Sequence, residues 1–129
     1  MFELTINDKN YKFNFGFGFM RELDPKVTKK IDGVNGGVKN MGVQFAVAGV
    51  IDGDVNDLVD VLIAANKPFE PRLTRTEIEA HIESDNTDLE RLFADVLGFL
   101  KSANCTKNTV ASLEKNIEAQ KAKAANQTE

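Results

Sequence analysis

Three observations predict an α+β protein that is mostly α, with an N-terminal antiparallel β-hairpin followed by about five helices. Apolar residues alternate over the first fifteen positions, helical apolar stripes fill most of the rest, and Gly16 marks the switch between the two. Phe2, Leu4 and Ile6 alternate with Glu3 and Thr5, and Tyr11, Phe13 and Phe15 alternate with Lys12 and Asn14, so the strands are read as Phe2 to Ile6 and Tyr11 to Phe15. Asn7-Asp8-Lys9-Asn10 is the turn, because Asn and Asp tolerate left-handed backbone. A lone two-stranded ribbon is marginal in water and needs a helical cover, which Phe17, Met20 and Leu23 begin.

Gly18 to Lys30 reads as a short helix, with Asp24-Pro25 at its end or at the start of another turn, since the residue before proline avoids helical backbone. Asp32-Gly33-Val34-Asn35-Gly36-Gly37 reads as a flexible loop. Val38 to Ile51 is closer to helical than to alternating spacing, although its valines leave a strand open. Asp52-Gly53 ends it, and Asp54 caps a helix from Val55 to Asn66 with Leu58, Val59, Leu62 and Ile63 on one face. Pro68 and Pro71 mark the connection between two helical halves.

Thr74 with Glu77, or Thr76 with Glu79, forms a capping box for the next helix, and Thr87 with Glu90 another for Asp88 to about Ser102. In that last helix Leu89, Leu92, Phe93, Val96, Leu97 and Leu100 make the clearest apolar stripe of the chain. A weaker helix runs from Thr109 to about Lys123. Residues 1–119 are expected to form one domain and 120–129 a polar, frayed tail. The expected core includes Leu4, Phe13, Leu58, Leu62, Leu92, Phe93 and Val96.

At 129 residues the chain is long enough for one core, and its 16 basic and 20 acidic residues are interspersed, giving a net charge of -4 with no nucleic-acid footprint. The single Cys105 excludes an intramolecular disulfide and fits a reducing cytoplasm. The first residues form a strand containing Glu3, not a signal peptide, and no stretch reaches the roughly 18 apolar residues of a membrane helix. The expectation is a chain that stays inside the cell that makes it.

The sequence offers no catalytic or metal constellation. Asp52, Asp54 and Asn56 match the start of a calcium loop, but Asp57 stands where glycine is needed and Ile63 where a bidentate Glu is needed. Gly33 to Lys39 lacks phosphate-loop spacing, and Gly16 and Gly18 supply only two glycines of a dinucleotide fingerprint, with Arg21 in place of the third. His81 sits mid-helix between Glu77, Glu79 and Glu83, and Cys105 reads as a small filler at a helix end. Two such residues cannot hold zinc. The chain is read as no enzyme and as needing no cofactor.

Binding remains. Phe13, Phe15, Phe17 and Phe19 are more aromatic surface than a hairpin face and a helix face of different periods can jointly bury, so Phe15, Phe17, Phe19 and Met20 are the candidate surface for a partner or for self-association. The hairpin edge is a second candidate, and the polar C-terminal helix a third.

The opening Phe-Glu-Leu-Thr-Ile-Asn-Asp-Lys-Asn-Tyr-Lys-Phe-Asn-Phe-Gly-Phe-Gly-Phe-Met-Arg-Glu-Leu-Asp resembles the tail assembly chaperones of long-tailed bacteriophages of Gram-positive bacteria, which begin with a short hairpin and a Phe-Gly-Phe-x-Phe-x-Arg-Glu-Leu helix start. The resemblance continues through Gly42 to Ala65 and Thr74 to Lys107, and leaves out the tail after about Ala119. It implies reversible shielding of the phage tape-measure protein by many copies in the host cytoplasm and absence from the mature virion. It further implies delivery of the major tail-tube protein by a longer frameshifted form, of which this chain would be the shorter counterpart. The alternatives are a small structural adaptor of the head-tail junction, and a helical DNA-binding regulator using Thr74 to Leu100. Acidic Glu77, Glu79, Glu83, Asp85, Asp88 and Glu90 oppose the latter.

Overall fold

The computed structural model describes residues 2–30 and 37–127. Strands β1 (Phe2–Ile6) and β2 (Lys9–Phe13) pair antiparallel with Phe2 opposite Phe13 and Ile6 opposite Lys9. The turn is two residues, tighter than the four expected: Asn7 (φ 51°) and Asp8 (φ 65°) are both left-handed, the form whose twist matches a two-residue hairpin. Pairing therefore starts at Lys9 and ends at Phe13, and Phe15 continues the inward alternation on unpaired extended chain. Phe2, Ile6, Tyr11, Phe13 and Phe15 are buried on one face.

Helix α1 (Phe17–Leu23) runs into a 3₁₀ turn, Asp24–Lys26, that holds Pro25 near its start. The expected helix through Lys30 stops there. The chain leaves the turn in extended backbone and forms β3 (Thr28–Lys30), which pairs antiparallel with β4 (Val38–Asn40), a second ribbon absent from the sequence reading. The N–H of Met41 donates to the carbonyl of Val27 at 2.6 Å and fastens the ribbon's base. Residues 32–36 of the expected loop, and with them most of the weighed phosphate loop, lie outside the described residues.

Helix α2 (Gly42–Ile51) begins where glycine is required, because a Cβ at Gly42 would meet the carbonyl of Leu23. Asp24 Oδ1 accepts from the Val43 N–H at 3.2 Å and ties that start to the end of α1. Gly53, at φ 81°, turns the chain into α3 (Val55–Asn66). As expected, Asp54 caps α3, its Oδ1 accepting from the N–H groups of Asn56 (2.9 Å) and Asp57 (3.2 Å).

Helix α4 (Arg75–Glu83) is capped by Thr74, whose Oγ1 accepts from the Glu77 N–H at 3.2 Å. Helix α5 (Leu89–Ser102) differs from expectation at its cap: Asp88 accepts from the Arg91 N–H at 3.1 Å, while the Thr87 hydroxyl donates to the carbonyl of His81. Helix α6 spans Lys107–Gln127. The described chain thus holds six helices and two ribbons.

Helix α3 is the centre, packed against α1, α2, α4 and β2. Leu58, Val61, Leu62 and Ala65 are fully buried along it. Of the expected core, Phe13, Leu58, Leu62, Leu92 and Val96 are buried, while Leu4 and Phe93 are only partly so. Their stripes reach the edge of the core rather than its middle. Aromatic rings close the hairpin over α1 and α5: Phe2 lies 5.3 Å from Phe13 and 5.0 Å from Phe99, and Phe15 meets Phe19 edge-on at 5.3 Å.

Candidate partner-binding surface

The end of α3 fixes the hairpin and, through it, the start of α1. Asn14 N–H donates to the carbonyl of Ala65 at 2.9 Å. Asn66, fully buried, donates through Nδ2 to the carbonyls of Lys12 (3.0 Å) and Pro71 (3.3 Å) and accepts at Oδ1 from the Leu73 N–H at 2.6 Å. These bonds occupy the C-terminal end of β2's outer side, so α3 rather than a further strand holds that end of the hairpin edge.

With Gly16 in extended backbone as the N-cap, Phe17 and Phe19 fall on opposite sides of α1. The four candidate residues accordingly separate. Phe15 and Phe19 lie in the core, Met20 is half-buried against it, and Phe17 is 68% exposed. The Arg21 guanidinium stands 5.9 Å from the Phe17 ring centroid and covers one face of it. Phe45 on α2, 58% exposed, is a further outward phenylalanine.

Two grooves flank these helices. One, of about 400 Å³, lies between α2 and α6 and is lined by Met41, Gln44, Asn108, Ser112, Leu113 and Asn116. The other, of about 310 Å³, lies between α3 and α4, with Val55, Val59 and Ile82 bordered by Asn56, Glu79 and Glu83. Both are shallow seams between helices, suited to side chains of another macromolecule rather than to an enclosed small molecule.

The perturbed titratable groups serve the fold. The buried Tyr11 hydroxyl donates to Glu77 Oε2 at 2.5 Å, and this bond, with burial and the charge of Glu77, pushes the phenol up to about 12. The same bond, with that from the Thr74 hydroxyl, holds Glu77 below the usual carboxylate range. Burial, then the charges of Asp54 and Asp60, raise Asp57. His81, on α4, and Cys105, in the turn between α5 and α6, are each half-buried, and among the described residues no three His, Cys, Asp or Glu side chains converge in a metal-binding group. No described helix is long and apolar enough to cross a membrane.

Sequence reasoning missed Asn66 and the buried Thr106, whose hydroxyl donates to the Leu100 carbonyl at 2.6 Å. Neither stands in a motif, and each is defined by the backbone groups that folding brings to it.

No curated protein and no solved structure matches the chain. A family model described as phage tail assembly chaperone protein, TAC, matches residues 3–115, which takes in every element from the hairpin into α6. With that match and a surface of exposed phenylalanine and helix seams, the chain belongs to the phage tail assembly chaperones, a family whose role is assembly rather than catalysis and whose partners are tail proteins.

Proposed function

We propose that this chain binds the tape-measure protein of its phage and shields apolar helix faces on it until the tail tube closes around it. The observation that carries the reading is Phe17, an aromatic side chain 68% exposed at the first position of α1 in a chain of this family. Exposing an aromatic ring to water is unfavourable, and a partner that covers it recovers the hydrophobic term. Met20, half-buried one turn along, supplies an adaptable apolar flank. Phe15 and Phe19 act from below by fixing the helix that presents Phe17.

On this reading many copies act along one tape-measure molecule in the host cytoplasm. Tail-tube subunits are recruited through a longer, frameshifted product, and the chain is absent from the finished virion. The contact is mainly apolar, so it survives moderate salt. The test is co-expression of the tape-measure protein with this chain or with its Phe17→Glu variant. The reading expects soluble, co-purifying tape measure with the parent and loss of both with the variant, while far-UV circular dichroism of the two chains is the same. Equal solubilisation by both would refute the role of Phe17. Stoichiometric amounts of the chain in purified virions would favour the head-tail adaptor instead.

A further inference from the structure

The hairpin keeps one edge without a described partner. A two-residue turn makes Ile6 and Lys9 a hydrogen-bonded pair, and such pairs alternate along an antiparallel ladder, so Leu4 with Tyr11 and Phe2 with Phe13 bond across the hairpin. Glu3 with Lys12 and Thr5 with Asn10 are then the pairs whose N–H and carbonyl groups turn outward. On the β2 side α3 meets one of these groups, where Asn66 donates to the Lys12 carbonyl. On the β1 side the backbone groups of Glu3 and Thr5 make no hydrogen bond to another described residue, and both residues are exposed. Strand β1 also lacks the usual guards of a free edge, since it pairs without a bulge and holds no lysine or proline.

A cleft opens beneath that edge. Leu4, on the inward face of β1, is only half-buried, and with Leu92 of α5 it lines a cavity of about 220 Å³ bordered by His81 of α4 and by Asp88, Arg91 and Asp95 at the start of α5. Arg91 stands 3.9 Å from Asp95 and is the one guanidinium among three carboxylates, Glu3, Asp88 and Asp95, so the surroundings favour a cation.

We propose that this edge takes an extended segment of another protein as a third, antiparallel strand, with one large apolar side chain in the cleft and a lysine or arginine next to it. N–H and carbonyl groups aligned along an edge are best satisfied by another extended backbone. In such a strand the residue opposite Leu4 belongs to a non-hydrogen-bonded pair, about 4.5 Å away at Cα, and its side chain leaves on the same face as Leu4 and enters the cleft. The following residue, opposite Glu3, turns to the other face, where a cation pairs with that carboxylate across the strands. The preceding residue, opposite Thr5, is best polar or β-branched. The other edge of β1 already carries this order: Asn10, Tyr11 and Lys12 of β2 lie opposite Thr5, Leu4 and Glu3. The edge thus suits a strand-forming partner, whereas Phe17 on α1 is a separate surface, and neither site needs the other.

Fluorescence anisotropy of the labelled peptide Ser-Val-Thr-Phe-Lys-Val-Ser, titrated with the full chain, is expected to show saturable binding. Methylating the peptide's Lys nitrogen, which donates to β1 in this register, is expected to weaken binding roughly tenfold or more, while methylating the Phe nitrogen, which points away, leaves it unchanged. Exchanging the peptide's Phe for Ser is expected to abolish binding. A peptide with Glu in place of Lys is expected to bind the parent chain poorly and the Glu3→Lys variant better, a recovery that also shows that the variant is folded. Absence of binding, equal losses from the two methylations, retained binding without the Phe, or no recovery with Glu3→Lys would each overturn the proposal. So would sedimentation in which the peptide splits an oligomer of the parent chain, since that outcome gives the edge to a second copy.

Discussion

Replacing Asn66 with leucine removes one side chain and strands three backbone groups. The side chain serves the Leu73 N–H and the carbonyls of Lys12 and Pro71, and leucine fills a similar volume with no polar atom. The Leu73 bond, at 2.6 Å, is buried, whereas the two carbonyl bonds are partly so and retain some access to water. An unsatisfied buried donor or acceptor costs about 1–3 kcal/mol, so the full penalty for Leu73 and a reduced one for each carbonyl give about 3–4 kcal/mol. That is a large part of the stability of a small domain, which is about 5–15 kcal/mol. Urea unfolding followed by circular dichroism reads the loss as a lower midpoint at unchanged slope. Asn66→Asp keeps the acceptor for Leu73 but turns oxygen towards two carbonyls, and is expected to be at least as damaging at neutral pH. A midpoint shift of either variant equivalent to less than about 1 kcal/mol would refute the assignment of Asn66 as the tie between α3, the hairpin and the Pro71 loop.

The remaining expectations concern backbone approach, titration and the C-terminus. Gly42→Ala drives a methyl group into the Leu23 carbonyl and is expected to cost about 1–3 kcal/mol or more by urea unfolding, whereas alanine at the exposed, unobstructed Gly98 is expected to be neutral or stabilising. The Tyr11–Glu77 bond gives stability a pH signature at both ends. Glu77, held low, contributes above the ordinary carboxylate range and loses its contribution as pH falls through its folded value. Tyr11, raised to about 12, contributes fully below the ordinary phenol value of 10.0 and loses its contribution as pH rises from there towards 12. Unfolding midpoints across that alkaline range should fall less steeply for Tyr11→Phe, and an unchanged slope would argue against the bond. Ending the chain after Ala119 is expected to leave the unfolding midpoint unchanged, because the residues beyond carry no apolar stripe.

Features governed by near neighbours were legible in the sequence. Asp54 before Val55 and the stripe from Leu89 to Leu100 stand at the places the sequence indicates, and of the two caps it offers for α4, Thr74 with Glu77 or Thr76 with Glu79, the first forms, because a cap or a helix face needs only residues within a few positions. The cap of α5 was displaced by one residue since Thr87 and Asp88 both qualify locally, and the Thr87 hydroxyl is drawn away to the carbonyl of His81. The ribbon β3–β4 escaped notice because three-residue strands offer too few positions for alternation, and its Val38 end merges into a helical pattern. The candidate surface was read as Phe15, Phe17, Phe19 and Met20 together. Once Gly16 is the cap, residues two apart on a helix differ by about 200° in direction, so burying Phe19 turns Phe17 out. Asn66 was beyond reach of local reasoning, since its partners at Lys12, Pro71 and Leu73 meet only in the folded chain.

The central claim is that this chaperone acts by covering the tape-measure protein, and the most direct measurement is the soluble fraction of that protein made in the host with and without the chain. The account predicts that the tape measure is soluble and co-purifies with the chain when both are present, and aggregates when the chain is deleted. A tape measure that stays equally soluble without the chain, and does not bind it when both are present, would contradict the account.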